Sequence, residues 1–290
     1  MNLEEYFQRI GFRGTYDKAD LATLKLIHKQ HIMSIPFENL DIHCGGKIVM
    51  NLEVIFDKIV RQGRGGWCME NNFLLSWVLA EMGYDVAVLA ARVFNRATGD
   101  FSTLEAHLVN RVVIDGKPYI EDVSFGVSSQ LWEPLELVSG KLQVQPPGTF
   151  RLMDKEDFWI LEKTNRKPEI LNPEFANSNL VNSHLKRSLY CFNLTPRTAE
   201  YFMDVSNSLQ TDPSSLFVNK SICSLQTATG FRALIGWTYS EVTFQVDRGV
   251  DVYDMKDVPG EEIESLLRDK FNICLPNKLQ PVNNQFKYTL

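Results

Sequence analysis

The hydrophobic period of this chain changes at Gly83, and that change limits its folds more than any other feature. Ahead of it, Leu3, Tyr6, Phe7 and Ile10, then Leu21, Leu24, Ile27 and Ile32, then Leu52, Ile55, Phe56 and Ile59 recur at helical spacing. Asp20 is placed to cap the second run, and Pro36 and Gly45-Gly46 punctuate the series. The last run starts near Cys68, sets Phe73, Leu74, Trp77 and Val78 on one side, and has Gly83 as a suitable C-cap. From Tyr84 the chain breaks into short β-rich runs: YDVAVLAARVFN, LEAHLVNRVVI and KPYIEDVSFG, the last two joined by Asp115-Gly116, a hairpin signal. FRLMDK and FWILEK extend the series to about residue 166.

Residues 167 to 183 hold two prolines and four asparagines with little periodicity, so they read as a long surface loop or insertion. Beyond them, strands (LYCFNL, SICSLQT, FRALIGWTYS) mix with a helix, PGEEIESLLRDKF, whose early acids and late bases suit the helix dipole. The predicted class is α+β: a helical bundle over 1–83, a meander or β-barrel over 84–192, and an α/β unit over 193–290.

A net charge of -6 and a pI near 5.5 provide no pull toward phosphate backbones or anionic membranes, which argues against a nucleic-acid partner. The acidic start, MNLEEYFQRIGF, lacks the basic and apolar regions of a signal peptide, and no run reaches about 18 apolar residues, so a cytoplasmic protein without a membrane span is expected. Cys44, Cys68, Cys191, Cys223 and Cys274 are odd in number and lack metal-ligand spacing. Neither a disulfide framework nor a metal site is predicted.

One cysteine stands apart. In RGGWC, residues 64–68, Gly65 and Gly66 allow a tight or left-handed path into the helix that begins near Cys68. A thiol there lies among open N–H groups at the positive end of the helix dipole, which favours the thiolate. The plainer alternative is a turn that ends in a core-filling Trp67.

A nucleophilic thiol needs a base, and the base an orienting carboxylate. His28, His31, His43 and His184 are each accounted for as surface or cap residues, whereas His107 lies in a strand. Pairing about the 115–116 turn brings together residues whose numbers sum to about 231, so Asp122 falls opposite residue 109, a diagonal neighbour of His107 on the same face. A carboxylate there can fix the imidazole tautomer and leave the other nitrogen toward a thiol. A satisfied core histidine is the competing reading.

IPFENL at 35–40, RGGWC at 64–68, the histidine of EAHL, the aspartate of EDVSFG, WEPLEL at 132–137 and CSLQT at 223–227 resemble, in order and along the whole chain, the arylamine N-acetyltransferases. The insertion near 167–183 resembles that of vertebrate members. The resemblance implies a helical bundle, a β-barrel and a C-terminal α/β lid around a cysteine-peptidase-like core, in a monomer acting on aromatic amines. It implies Cys68 as acetyl acceptor from acetyl-CoA, with His107 and Asp122 completing a triad. It also implies a Glu38–Arg64 ion pair ahead of the cysteine; Asn72, one helical turn beyond Cys68, lies on the same helix face and can help order the site.

By the same resemblance, Phe37, Val93, Phe125, Val127 and Ser129 line the acceptor pocket, and Thr103, Ser214, Ser215, Phe217 and Thr289 lie near CoA. Leu216 and Lys287 stand where related vertebrate sequences tend to carry serine, and Lys287 can instead meet a phosphate. Ser124 replaces a usual glycine beside Asp122. The same triad would also serve a papain- or transglutaminase-like thiol hydrolase or amide transferase, and a non-catalytic small-molecule-binding protein would keep the pocket without turnover.

Overall fold

Asn2 and Asp20 start the first two helices, α1 (Leu3–Ile10) and α2 (Leu21–Ser34), by accepting from Glu4 N and Thr23 N at 2.8 Å. The computed structural model describes residues 1–176 and 186–283. After the short β1 (Phe37–Glu38) and α3 (Leu40–His43), α4 (Leu52–Phe56) runs into a π-helical turn, Asp57–Arg61, that leaves Lys58 buried. The last helix of the bundle, α5 (Cys68–Glu81), is followed by Gly83 at φ +85°. Tyr6, Leu24, Ile27, Ile55, Phe56, Leu74 and Val78 form the bundle core, which Val112 and Tyr119 of the following sheet join. The first part of α5 is buried beyond its predicted apolar side: Glu70, Asn71 and Asn72 are 1% exposed or less.

The sheet strands are β2 (Asp85–Asn95), β3 (Asp100–Phe101), β4 (His107–Ile114), β5 (Lys117–Glu121), β6 (Leu135–Glu136), β7 (Leu142–Gln145), β8 (Gly148–Asp154), β9 (Trp159–Thr164), β10 (Lys167–Ile170) and β11 (Lys186–Pro196). The order β6-β5-β4-β2-β11-β9-β8-β7 curls into a nearly closed barrel, with β3 beside β2. At the seam, glutamine side chains replace the backbone ladder. Gln143 bonds Glu136 N and O at 2.9 and 3.0 Å, and Gln145 bonds Trp132 N and Glu133 O at 2.8 and 2.9 Å.

Beyond the barrel come α6 (Met203–Thr211), α7 (Leu216–Asn219), β12 (Ile222–Thr227), β13 (Gly230–Ile235), β14 (Thr238–Gln245), β15 (Val250–Asp257) and α8 (Ile263–Phe271). Their sheet, β1-β12-β13-β14-β15-β10, borrows β1 from the bundle and β10 from the barrel region. The predicted segments therefore interlock. Of the expected loop or insertion at 167–183, Lys167–Ile170 forms β10 instead, parallel to β15 along an otherwise open sheet edge, and residues 177–183 lie outside the described ones. The expected boundary at 192 falls inside β11, whose pairing with β2 continues to Pro196. Among the described residues no helix is long and apolar enough to cross a membrane.

Candidate active site

The approach to Cys68 is governed by close packing. A Cβ at Gly65 would lie 2.2 Å from Pro36 O, and one at Gly66 would lie 2.8 Å from Glu70 Cβ. Neither glycine has positive φ, so of the tight or left-handed path expected the chain takes the tight one. The space they free lets the strand-like segment at Gly66 pair with residues 36–38 (Glu38 N to Gly66 O, 3.0 Å; Gly66 N to Pro36 O, 3.2 Å).

Buried charges brace this crossing. Glu38 and Arg64 pair at 2.8 Å, Arg64 meets Asp41 at 2.9 Å, and Lys58 bridges Asp41 at 2.8 Å and Glu70 at 3.0 Å. Burial opposes both cations, yet the carboxylates around them raise Lys58 and Arg64 above their ordinary pKa values. Glu70 Oε2 then accepts from Trp67 N at 3.2 Å, so the network ends on the residue before the thiol. The Glu38–Arg64 pair expected from sequence is present, while Lys58, Asp41 and Glu70 gave no sequence signal.

Cys68 opens α5, its Sγ 3.8 Å from Ala106 O, and it shares a cavity wall with His107, the first residue of β4. His107 Nε2 bonds Asp122 Oδ2 at 2.8 Å, which leaves Nδ1 for the thiol. The hairpin register predicted from the 115–116 turn is the observed one, Asn110 opposite Glu121, and Asp122 follows directly. Burial alone would strip the imidazolium proton, but Asp122 on one side and Cys68 on the other push His107 up to about 10. Burial likewise works against the Asp122 charge; the imidazolium and bonds from Asn72 and Ser124 N outweigh it and lower its pKa. Asn72 donates to Asp122 Oδ1 at 2.8 Å, as its place one turn past Cys68 suggests. At Ser124, whose loop path was in question, the backbone N–H reaches Asp122 Oδ1 at 3.0 Å and Oγ accepts from Asn71 at 3.0 Å.

Cys68 and His107 line a cavity of about 360 Å³ with Phe37, Val93, Phe125, Val127 and Ser129, all five predicted acceptor-pocket positions. Phe125 meets His107 edge to face at 5.1 Å. The wall also carries Arg96, Arg166 and Arg187, which sequence reasoning missed; Arg187 is bonded to Ser129 Oγ.

The residues expected near CoA are dispersed. Phe217 and Leu216 line this cavity, whereas Thr103 lines a separate one with Arg92 and Arg197. Ser215 Oγ caps α7 by accepting from Phe217 N and donates to Leu209 O at 2.6 Å, and Ser214 Oγ donates to Asp212 at 2.7 Å. Lys287, Thr289 and His184 lie outside the described residues.

His28, His31 and His43, expected at surfaces or caps, are buried. Each is bonded across the fold, His28 through both nitrogens to Glu121 and Leu131 O, His31 through Nδ1 to Tyr6, and His43 to Phe217 O. Among the described residues no cluster of three or more His, Cys, Asp or Glu side chains is arranged to hold a metal ion.

Comparisons with known proteins agree over nearly the whole chain. The N-acetyltransferase family model matches residues 20–280. The chain is 51% identical to the pineal gland isozyme NAT-10 of arylamine N-acetyltransferase from Gallus gallus and 43% identical to arylamine N-acetyltransferase 1 of Homo sapiens, each over 100% of both proteins. The structure of Mycobacterium marinum arylamine N-acetyltransferase in complex with CoA, 27% identical, superposes with a TM-score of 0.78, covering 94% of this chain and 93% of that one. With its fold, its thiol–imidazole–carboxylate line and these relatives in agreement, the chain belongs to the arylamine N-acetyltransferase family.

Proposed function

We propose that this chain transfers the acetyl group of acetyl-CoA to the nitrogen of arylamines and hydrazines, and to the oxygen of arylhydroxylamines, with Cys68 as acetyl carrier. The observation that carries the reading is the buried trio Cys68, His107 and Asp122, with His107 bonded to Asp122 and Cys68 and His107 opening on one largely apolar cavity. Membership of the family and the CoA complex of its Mycobacterium marinum relative support the donor.

In the first half-reaction the Cys68 thiolate attacks the thioester carbonyl. A new S–C bond forms at Cys68, the C–S bond to CoA breaks, and the imidazolium of His107 returns a proton to the departing thiolate. Open N–H groups at the start of α5 supply donors for the oxyanion. In the second half-reaction the amine nitrogen attacks the acetyl-cysteine carbonyl, His107 takes the amine proton, and the Cys68 thiolate leaves. Asp122 holds the ring for both steps.

Phe37, Val93, Phe125, Val127 and Ser129 are read as the acceptor wall, whose apolar character suits an aromatic ring better than water. Phe217 is read as a donor contact; the hydroxyls of Ser214 and Ser215 already have internal partners, so in this reading they shape the α7 turn beside CoA. The C-terminal sheet is read as the lid of a cysteine-peptidase-like core, and the enzyme as a cytoplasmic monomer. Initial rates with both substrates varied test the mechanism: parallel double-reciprocal lines are expected, and intersecting lines would reject the acetyl-enzyme route.

A further inference from the structure

His28, on α2, bonds both stems of the loop that carries Asp122. Its Nδ1 meets Glu121 Oε1 at 2.6 Å, immediately before Asp122, and its Nε2 meets Leu131 O at 2.9 Å, immediately after Gln130. All three residues are 0% exposed. Inside the loop, Gln130 Nε2 donates to Asp122 O at 2.7 Å and to Leu131 O at 3.0 Å, while its Oε1 accepts from Gly126 N at 3.0 Å. The span 122–130 is therefore closed at its base by a histidine and within by a glutamine. It holds the catalytic carboxylate and a continuous stretch of cavity wall, Ser124 to Ser129, with Phe125, Val127 and Ser129 in it. Val127, at φ +39°, takes a backbone conformation unfavourable to a β-branched residue, which persists only where its surroundings impose it.

Nothing in bundle packing alone requires an imidazole at this place. An apolar side chain would fill it, but would leave the Glu121 carboxylate and the Leu131 carbonyl without these bonds. Nε2 faces a carbonyl, which only accepts, so that nitrogen carries a proton. Burial disfavours the charged ring, and Glu121, the Leu131 carbonyl and Asp122 raise its pKa against that cost.

We propose that His28 is a positioning residue: by clasping both stems of the 122–130 loop it fixes Asp122 against His107 and holds the acceptor wall in place. The inference rests on the acetyltransferase reading above. A displacement of about 1 Å in a catalytic group costs on the order of 100-fold in rate, so loosening the clasp acts mainly on kcat.

The test compares wild type with His28→Phe, His28→Gln and Glu121→Leu, using acetyl-CoA and a simple arylamine and counting folded enzyme by calorimetry. His28→Phe should lower kcat per folded molecule about 10- to 100-fold and move the alkaline limb of the pH–rate profile to lower pH, because His107 loses a well-placed Asp122. His28→Gln, which can restore one bond, should recover part of the loss, and Glu121→Leu, which opens one stem only, should show a smaller shift of the same limb. Wild-type kcat and an unmoved limb in folded His28→Phe, or in Glu121→Leu should the first variant not fold, would overturn the proposal even with a lowered melting temperature. If wild type forms no acetyl-enzyme at all, the acetyltransferase reading fails first, and that outcome is distinct from a failure of the clasp.

Discussion

Asn72 bonds the loop that carries Asp122 through both ends of its amide, donating to Asp122 Oδ1 at 2.8 Å and accepting from Val123 N at 2.8 Å. Its Nδ2 also reaches Leu108 O at 2.7 Å, so one residue of α5 ties the strand behind His107 to the carboxylate that orients it. Asn72→Ala should lower kcat about 10- to 100-fold with a smaller change in the KM for amine, since Asp122 keeps His107 but loses a partner. Steady-state kinetics check this, and an unchanged kcat would mean that Asp122 is held without Asn72.

The crossing of residues 36–38 with 64–66 leaves no room for a methyl group at Gly65, whose Cβ would meet Pro36 O at 2.2 Å. Gly65→Ala should destabilise the fold by about 1–3 kcal/mol or more in urea denaturation, because the obstacle is backbone. A variant as stable as wild type would show that this crossing is loosely packed.

Arg64 and Glu38 are 3% and 0% exposed; loss of Arg64 leaves the buried Glu38 carboxylate without its cation, whereas Arg64 without Glu38 keeps Asp41. Arg64→Met should cost about 3–5 kcal/mol, and the double change with Glu38→Met should cost less than the single one, since no lone charge remains. Denaturation midpoints decide the order. A double variant worse than both singles would contradict a pairwise role.

His107 carries a pKa raised from 6.5 to about 10. The folded state therefore holds this proton more tightly than the unfolded chain, and the stabilisation is fully present below about 6.5 and lost as pH rises through about 10. Lys163, buried and pushed down to about 7, acts with the opposite sign between about 7 and 10.5. Its contribution is common to wild type and His107→Gln. Melting temperature should therefore fall more from pH 6.5 to pH 10 in wild type than in the variant, and equal slopes would contradict an imidazolium at neutral pH.

The parts of the site that local pattern controls were legible in the sequence. The period change at Gly83 separated bundle from strands, and the Asp115-Gly116 turn set a register that placed Asp122 beside His107. RGGWC was legible as a helix start, but the reason for its glycines was not, since Pro36 O approaches Gly65 only in the folded crossing. The His28–Glu121 clasp joins residues 93 positions apart, and the Lys58–Glu70 pair depends on a π-helical turn. Neither leaves a mark on spacing, so three histidines looked peripheral that are in fact buried. Lys167–Ile170 read as loop because its strand pairing is parallel and distant in sequence.

The most direct test of the central claim is the intact mass of the protein after brief exposure to acetyl-CoA without amine, for wild type and for Cys68→Ala. Wild type should gain a single acetyl group and lose it when an arylamine is added, as the acetylated amine appears; Cys68→Ala should gain none. Equal labelling of the two proteins, or no adduct on wild type while acetylated amine still forms, would contradict Cys68 as the acetyl carrier.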